Sequence, residues 1–405
     1  MDYNTPVNIL IDTSCRIESF ICSTQRTAKI TADVYNSARQ LPPAWDLLLP
    51  VGSKLASHIL MLIEDSAIEG LTYYYIIVKN EDKPIGLVYF QRLALTKQHY
   101  PDFSGAGTIA KHVYNYAAGK AFGLLTAGNL FYTGFPWYWF DDKAIKADDF
   151  FRTVNKAATL LLKTSRSHMV MLKDVDDKLN NYISRKPSGY AHMGEDIFMQ
   201  MPLNLAWQTF DDYAKALSKK YAARVRKMKE AVAGVRVKKL NLEQAEALAP
   251  QIDKLYLEVI GHSSVKIGIL NAQYFINMKK ALGANFDIWG WFEGDRMVAF
   301  TSTLVENGSY EVYYIGYGDD DNKRLCLYPN ILLHGVEQAI ADKKKVLKLG
   351  RTALEAKAIV GAGPIYLNNY IKMKGKLLQL GFGFILKVFG KERGNDWKKR
   401  NPFKK

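Results

Sequence analysis

The residues best suited to chemistry lie in the stretch SYEVYYIGYG at positions 309–318. Side chains alternate between the two faces of a β-strand, so this stretch is expected to place Glu311, Tyr313 and Tyr317 on one face. A carboxylate beside two phenols can take up and release protons, which is the work of general acid–base catalysis. The alternative is an ordinary core strand, because aromatic residues favour strands whatever their chemical role.

Two glycines add a second prediction for the same stretch. Gly316 and Gly318 are compatible with a β-bulge, because glycine often marks such an irregularity inside a strand. A bulge at this place would free a backbone N–H to face a carbonyl group. We therefore predict a bulge near the end of this strand.

A second group of charges follows a strand that is predicted over Val346–Leu349 and ends at Gly350. Arg351, Glu355 and Lys357 come after it and precede a glycine-rich bend. Charged side chains so close to such a bend are poor choices for a mere turn and indicate a binding role. The alternative is that Arg351 and Glu355, four residues apart, pair with each other while Lys357 stays in solvent.

The elements that must position these groups occur in a repeated order. Helices followed by paired strands are predicted in both halves, at 53–68, 72–80 and 83–95 in the first and at 241–263, 271–283 and 286–318 in the second. A helix at 328–345 and the strand before Gly350 follow in the second half. This order indicates an α+β protein that contains a duplicated unit.

The chain is expected to divide into four parts: an N-terminal arm at 1–40, a first domain at 41–205, a second domain at 206–372 and a basic C-terminal tail at 373–405. Its 405 residues, 48% of them hydrophobic, suffice for a sizeable core and favour two or three domains or two related halves. The arm shows little periodicity and is expected to be peripheral.

The net charge of +15 is concentrated in two clusters. Residues 371–405 contain eleven Lys or Arg against two acidic residues, and residues 219–239 contain nine against Glu230 alone. The second cluster begins in a long helix predicted over 207–232, with Thr209 as its N-cap. Both clusters indicate an anionic partner, which could be nucleic acid, anionic lipid, a phosphopantetheine carrier or an acidic substrate, and the alternative is a solvated charged face.

Cysteine usage and the N-terminal residues predict an intracellular protein. Cys15, Cys22 and Cys326 show no metal-type spacing and are too few for a disulfide framework, so we expect a reducing compartment and no metal. The N-terminus lacks the pattern of a secretory signal. The charge-free run at 121–140 is interrupted by glycines and Pro136, so buried strands and an aromatic loop are expected there rather than a membrane span.

Three stretches together resemble a known family. The order and spacing of residues 217–240, 312–340 and 347–372 are similar to the FemAB-like branch of the GNAT acyltransferase superfamily. The resemblance is clearest over 207–372 and thinner over 41–206. It implies two tandem GNAT-like halves with a cleft between them, and the transferase activity of a FemAB-like enzyme of peptidoglycan or cell-envelope biosynthesis.

The resemblance implies N-acyl transfer, in which an amine attacks an activated ester or thioester. Such a reaction needs a deprotonated amine, donors for the developing oxyanion and a proton for the leaving group. Glu311, Tyr313 and Tyr317 are the catalytic candidates for these tasks.

The resemblance also implies that the second charged stretch borders the cleft for acceptor and donor. Arg351 would hold an anionic group and Lys357 a carboxylate or phosphate. Glu355 belongs to the same binding stretch, and Gly361 would allow close approach of the backbone to a substrate.

The donor site departs from the usual GNAT pattern. Where that family places a basic, glycine-rich phosphate loop, residues 319–329 read DDDNKRLCLYP, and Lys323 and Arg324 compensate for the aspartates only in part. This pattern disfavours free acetyl-CoA as the donor and favours an anionic carrier, either aminoacyl-tRNA or acyl carrier protein. The co-substrate is expected to be such an acyl donor, with acyl-CoA as the remaining alternative, and no separate cofactor is expected. Arg224 and Lys227, on one helical face, would contact the phosphates of the carrier.

A protein of this fold need not be an enzyme. The alternative function is a non-catalytic binding protein associated with RNA or membrane, since the apolar and basic residues of the tail suit attachment to an anionic membrane surface. The expected location is the cytoplasm, including the inner face of the membrane.

Overall fold

The computed structural model describes most of the chain. The described residues are 17–21, 30–95, 122–185, 189–262, 268–375 and 398–404. The part of the predicted tail at 376–397 lies outside them.

The first half contains eight strands and four helices among its described residues. The strands are β1 (Ile17–Ile21), β2 (Ile30–Tyr35), β3 (Leu71–Asn80), β4 (Lys83–Leu95), β5 (Phe122–Ala127), β6 (Tyr138–Phe140), β7 (Met169–Leu172) and β8 (Ala191–Pro202). The helices are α1 (Ala44–Leu47), α2 (Ser57–Glu64), α3 (Ala147–Thr164) and α4 (Asp177–Arg185). One 3₁₀ turn covers Ala38–Gln40.

The second half contains six strands and eight helices among its described residues. The strands are β9 (Val235–Leu240), β10 (Phe286–Glu293), β11 (Arg296–Val305), β12 (Ser309–Tyr317), β13 (Val346–Gly350) and β14 (Gly363–Met373). The helices are α5 (Phe210–Ala216), α6 (Lys219–Ala231), α7 (Leu242–Ala247), α8 (Ala249–Gly261), α9 (Ala272–Leu282), α10 (Asp319–Leu325), α11 (Leu327–Ala341) and α12 (Leu354–Ile359). A second 3₁₀ turn covers Gly283–Asn285.

All fourteen of these strands belong to one mixed sheet. Its order is β1-β2-β3-β4-β5-β7-β14-β8-β13-β12-β11-β10-β9, and β6 pairs with β4 outside this path. The pairs β5–β7 and β12–β13 are parallel. Strand β14 of the second half lies between β7 and β8, and β8 of the first half pairs with β13. Each half therefore contributes one strand that pairs with strands of the other half. Two halves that only packed side by side would not share strands in this way.

Each half has its own core on one side of the sheet, and a third core is shared. Helix α3 covers the first half and α11 covers the second. The shared core lies on the opposite side, where α2 of the first half packs against α9 of the second. The buried Asn277 side chain joins them by donating to the backbone oxygen of Leu62 at 2.9 Å.

The three-stranded meander predicted within 286–318 is present as β10, β11 and β12. The single helix predicted over 207–232 was wrong, because α5 and α6 are separated by an extended residue, Leu217, that pairs with Phe403. Thr209 is the N-cap of α5 as predicted, within a capping box.

Part of the predicted peripheral arm belongs to the sheet. Strand β2 pairs antiparallel with β3 along its whole length, and its Ala32 and Val34 are buried against the core of the first half. The short alternation of apolar and polar residues in β2 is the period that a half-buried strand requires.

Among the described residues, no helix is both long and apolar enough to cross a membrane. Within the run at 121–140, the structure shows strands β5 and β6. The described residues also contain no group of His, Cys, Asp and Glu side chains that could hold a metal ion.

Candidate functional site

Glu311 lies where two neighbouring strands part. The parallel strands β12 and β13 pair over three residues each, and Glu311 opposite Lys348 is the last pair. Strand β12 continues beyond this point to Tyr317, whereas β13 ends at Gly350. Glu311 therefore stands at the opening between the two strands, on the sheet side that carries the shared core.

A β-bulge interrupts the alternation of β12. The pairing of β11 with β12 shifts between Thr301 and Thr303, so that Tyr313 and Tyr314 together lie opposite Ser302. The Ser302 hydroxyl accepts a hydrogen bond from the backbone N–H of Tyr314 at 3.0 Å and donates one to its carbonyl at 3.1 Å. The bulge thus exists, but it lies before the two glycines that predicted it, and a side chain already binds its N–H at Tyr314.

The bulge separates the predicted catalytic residues. Tyr313 and Tyr314 both pack against the shared core, whereas Tyr317 packs against the core under α11, next to Tyr328. The predicted common face of Glu311, Tyr313 and Tyr317 was therefore wrong for Tyr317. The extra residue of a bulge reverses the alternation of the strand, so each later side chain points to the opposite side of the sheet from the one predicted.

Glu311 and Lys357, called the buried pair below, are both buried, and the negative charge of Glu311 favours the ammonium form of Lys357. Their exposed fractions are 5% and 4%, and among the described residues neither side chain forms a hydrogen bond or an ion pair. Burial raises the pKa of Glu311 to about 7, against the opposing charge of Lys348. Burial lowers the pKa of Lys357 to about 7, and the charge of Glu311 limits this fall. Both groups therefore titrate near neutral pH.

The turn after β13 brings Lys357 to this place. Gly350 has a φ of +81° and Ala353 one of +52°, and α12 begins directly after them. A Cβ atom at Gly350 would lie 3.8 Å from the Lys357 ammonium nitrogen. The turn therefore directs Lys357 back toward the end of β13, so the predicted alternative of a solvated Lys357 is wrong.

Arg351 is held by the first half of the molecule. Its Nε donates to Asp196 at 2.7 Å and its Nη2 to Asp174 at 2.6 Å, while Nη1 donates to the hydroxyl of Thr133. Asp174 also accepts a hydrogen bond from Lys173 at 2.6 Å. Each guanidinium nitrogen already has a partner in this chain, so Arg351 joins the two halves, and the anionic ligand predicted for it would compete with these bonds.

Glu306 is the centre of a second polar group on the same side of the sheet. It lies just before β12, accepts a hydrogen bond from Lys348 at 3.1 Å and one from the Tyr132 hydroxyl at 3.1 Å, and pairs with Lys54 of the first half. Burial alone would raise the pKa of Glu306, but the hydrogen bonds and charges of the two lysines lower it to about 2. Glu306 is therefore a permanent carboxylate in this group.

Glu355 and Gly361 contact residues 398–404 of the same chain. Glu355 pairs with Arg400 at 3.3 Å. The alternative predicted from the sequence, a pair between Glu355 and Arg351, is therefore wrong. Gly361 has a φ of +107°, and a Cβ atom there would lie 2.6 Å from the ring of Phe403. The close approach predicted at Gly361 is real, but in this structure the approaching group is Phe403.

The predicted donor residues Lys323 and Arg324 are paired with carboxylates. Lys323 bonds Asp320 at 3.0 Å, and Arg324 bonds Glu293 and Asp321 at 2.6 and 2.8 Å. Both lie in the last turn of α10, and the first turn of this helix borders a pocket of about 490 Å³. Five carboxylate residues are among its lining: Glu258, Asp295, Asp319, Asp320 and Asp321.

Arg224 and Lys227 are exposed on α6, which packs beside α11. This is the side of the sheet opposite to Glu311, so the structure does not bring them to the buried pair. Residues 398–404 dock at the start of α6, where the backbone N–H of Ser218 donates to the carbonyl of Pro402 at 2.8 Å. At its other end, the docked segment contacts α12, where the backbone N–H of Lys398 donates to Glu355 at 3.4 Å.

Sequence reasoning missed the contribution of the first half. From the first half, Lys54 and Tyr132 contact Glu306, and Asp174 and Asp196 contact Arg351. These partners lie from 155 to 252 residues away in the chain. The local signal was weak: Asp174 lies two residues after the end of β7, and Lys54 precedes α2. Such positions are common, and only the strand exchange makes them neighbours of β12 and β13.

Comparison with known proteins shows the fold. No family model matches the sequence, and no curated protein matches it. A tandem GNAT protein from the clavulanic acid biosynthesis pathway matches 85% of this chain and 99% of its own at 8% identity, with a TM-score of 0.51. FemX matches at 11% identity over 78% and 91% of the two chains, with a TM-score of 0.45. The chain therefore has the predicted tandem GNAT fold.

Proposed function

We propose that this tandem GNAT-fold protein is an N-acyltransferase in which Glu311 and Lys357 move the protons of the reaction. The observation that supports this is the pair itself: two buried groups of opposite charge, without hydrogen-bond partners among the described residues, at the opening between β12 and β13. Buried ionisable groups without partners destabilise a fold, so a site that retains two of them is a candidate for catalysis.

The two groups fit the two proton transfers that acyl transfer requires. The nitrogen of the acceptor amine attacks the carbonyl carbon of the donor, a C–N bond forms, and the C–O or C–S bond to the carrier breaks. The Glu311 carboxylate accepts the proton that the amine loses, and the Lys357 ammonium group donates a proton to the leaving oxygen or sulfur. Glu311 then releases its proton to water and Lys357 takes one up from water, which restores both groups, so no proton is gained or lost.

A large anionic carrier is the donor that the charge distribution favours. The pocket beside α10 is rich in carboxylates, and the Asp319 amide there already donates to Glu258 at 3.2 Å, which is unsuited to a pyrophosphate. In contrast, α6 and the 398–404 segment, which meet at Ser218 and Pro402, carry several exposed basic residues, among them Lys219, Lys220, Arg224, Lys227, Lys398 and Lys399. Transfer RNA and acyl carrier protein are anionic carriers of suitable size.

A donor panel tests the proposal. The purified protein would be offered aminoacyl-tRNA, acyl carrier protein and acetyl-CoA with an extract of small amines, and the acylated products would be identified by mass spectrometry. Glu311→Gln and Lys357→Met should each reduce product formation by about 10²- to 10⁴-fold, the range of a lost general acid or base. Acetyl-CoA should bind weakly in calorimetry.

The matched control replaces the same residue types elsewhere. Glu337 lies on α11 and Lys163 on α3, both away from the buried pair. The variants Glu337→Gln and Lys163→Met should therefore keep full turnover. Equal turnover of all four variants would contradict the roles of Glu311 and Lys357. Micromolar affinity for acetyl-CoA would contradict the donor assignment, and binding of a carrier without any product would favour the non-catalytic alternative.

A further inference from the structure

The helix that carries Lys357 is too short to hold its own position. Helix α12 has six residues, begins after Ala353 in the left-handed region, and has no side-chain N-cap. Isolated helices of this length are unstable, because the cost of nucleation is not recovered over so few hydrogen bonds. The position of Lys357 must therefore depend on tertiary contacts of α12 and of the turn that follows it.

Residues 398–404 supply contacts at both ends of this helix. In the first turn, Glu355 pairs with Arg400 at 3.3 Å and accepts a hydrogen bond from the backbone N–H of Lys398 at 3.4 Å. Just beyond the last turn, the ring of Phe403 lies directly on Gly361. Lys357 lies between these two contact points.

The 398–404 segment is itself fixed to the body of the second half. Phe403 packs against Trp207 and Tyr213, with ring centroids 5.8 and 6.1 Å apart, and pairs with Leu217 as an isolated β-bridge. The backbone N–H of Lys404 donates to the carbonyl of Ala216 at 2.9 Å. Because the segment contacts both the second half and α12, it can hold α12 in a fixed position relative to the second half.

We infer that the 398–404 segment is a strap that positions Lys357, with Phe403 as its principal anchor. The ring of Phe403 holds the turn at Gly361, and Arg400 holds the first turn of α12 through Glu355. Loss of the anchor lets α12 open locally and brings Lys357 into contact with solvent. This inference uses the proposed function only to say why the position of Lys357 matters.

Chemical labelling tests the strap without any substrate. The protein would be treated briefly with N-hydroxysuccinimidyl acetate, and the acetylation rate of each lysine would be measured by mass spectrometry of its peptides. The reagent attacks neutral amines, so a low pKa favours labelling, and protection of Lys357 in the wild type reports burial. In Phe403→Ala, Lys357 should react about tenfold faster, which corresponds to local opening that is easier by about 1.4 kcal/mol.

A second buried lysine is the internal control. Lys173 is 9% exposed and lies in the first half, bonded to Asp174 and to the backbone of Tyr132, away from the strap. It should stay protected in Phe403→Ala, and Phe403→Leu should restore most of the protection of Lys357. A Lys357 that stays protected in Phe403→Ala would overturn the strap, and so would equal deprotection of Lys173, because that indicates general loosening.

The same experiment keeps the two proposals apart. Selective labelling of Lys357 in a protein without measurable acyl transfer would support the strap and reject the proposed function. Full acyl transfer by Phe403→Ala with Lys357 still protected would support the proposed function and reject the strap.

Discussion

Two groups of charges lie beside the ends of β12 and β13, and they differ in how their hydrogen bonds are satisfied. Around Arg351, every guanidinium nitrogen donates to an oxygen of this chain, and Asp174 is bonded by both Arg351 and Lys173. Around Glu311, neither the carboxylate nor the Lys357 ammonium group has a hydrogen-bond partner among the described residues.

The difference separates a structural role from a chemical one. A buried charge with partners contributes to the fold chiefly because removal of one partner leaves the others unpaired. A buried charge without partners weakens the fold at the pH where it is ionised, so its retention needs another explanation. Arg351 thus holds the two halves together, and the Glu311–Lys357 pair is the better candidate for catalysis. Three further measurements can break or sharpen this contrast.

Arg351→Ala should have the largest effect on stability. It leaves Asp196 without its cation and Asp174 with Lys173 alone, and breaking a buried ion pair costs about 3 to 5 kcal/mol of the free energy of unfolding. Urea denaturation would measure this loss. The control is Arg152→Ala, which removes an exposed pair with Asp149 and should cost less than about 1 kcal/mol. Equal losses would mean that Arg351 contributes no more than an exposed arginine.

The buried pair should impose a stability minimum near pH 7. The pKa of Glu311 rises from 4.5 to about 7 on folding, so the folded state binds the extra proton and stability falls as pH rises through this window. The pKa of Lys357 falls from 10.5 to about 7, so the unfolded state binds more protons and stability rises again above pH 7. The Glu311 limb amounts to at most about 3 kcal/mol and the Lys357 limb to at most about 5 kcal/mol.

The two limbs can be removed separately. Glu311→Gln should abolish the fall between pH 4.5 and 7, and Lys357→Met should abolish the rise above pH 7. Both variants should be more stable than the wild type at pH 7, even though both should lose turnover. Unfolding curves collected across this pH range would measure it, and identical pH profiles of the wild type and both variants would show that the pair does not titrate there.

Glu355→Gln should have the smallest effect on stability. The side chain is about half exposed and its pair with Arg400 is on the surface, so its loss should cost less than about 1 kcal/mol. Thermal unfolding of this variant beside Arg351→Ala would compare two charges that are four residues apart in sequence. If Glu355→Gln lost as much stability as Arg351→Ala, the difference in exposure between the two side chains would not explain their contributions to stability.

The sequence by itself determined the local elements and the fold class. The alternation of residues in β10, β11 and β12, the capping residues around Thr209, and the repeated order of helices and strands depend on neighbours in the chain, and they indicated an α+β protein with a duplicated unit. The tandem GNAT fold was implied by the resemblance of three stretches to a known family, and the comparison confirmed it. The importance of the stretch around Lys357 was also visible, because its charges stand beside glycines.

Only the tertiary structure decided which of these charges share a site. The bulge opposite Ser302 moved Tyr317 to the other side of the sheet, and a shift of one residue cannot be read from an alternating pattern that continues on both sides of it. The exchange of β8 and β14 brought Asp174 and Asp196 to Arg351, and docking of residues 398–404 placed Phe403 on Gly361. These contacts join residues far apart in the chain, so burial and pairing of each charge are properties of the folded molecule alone.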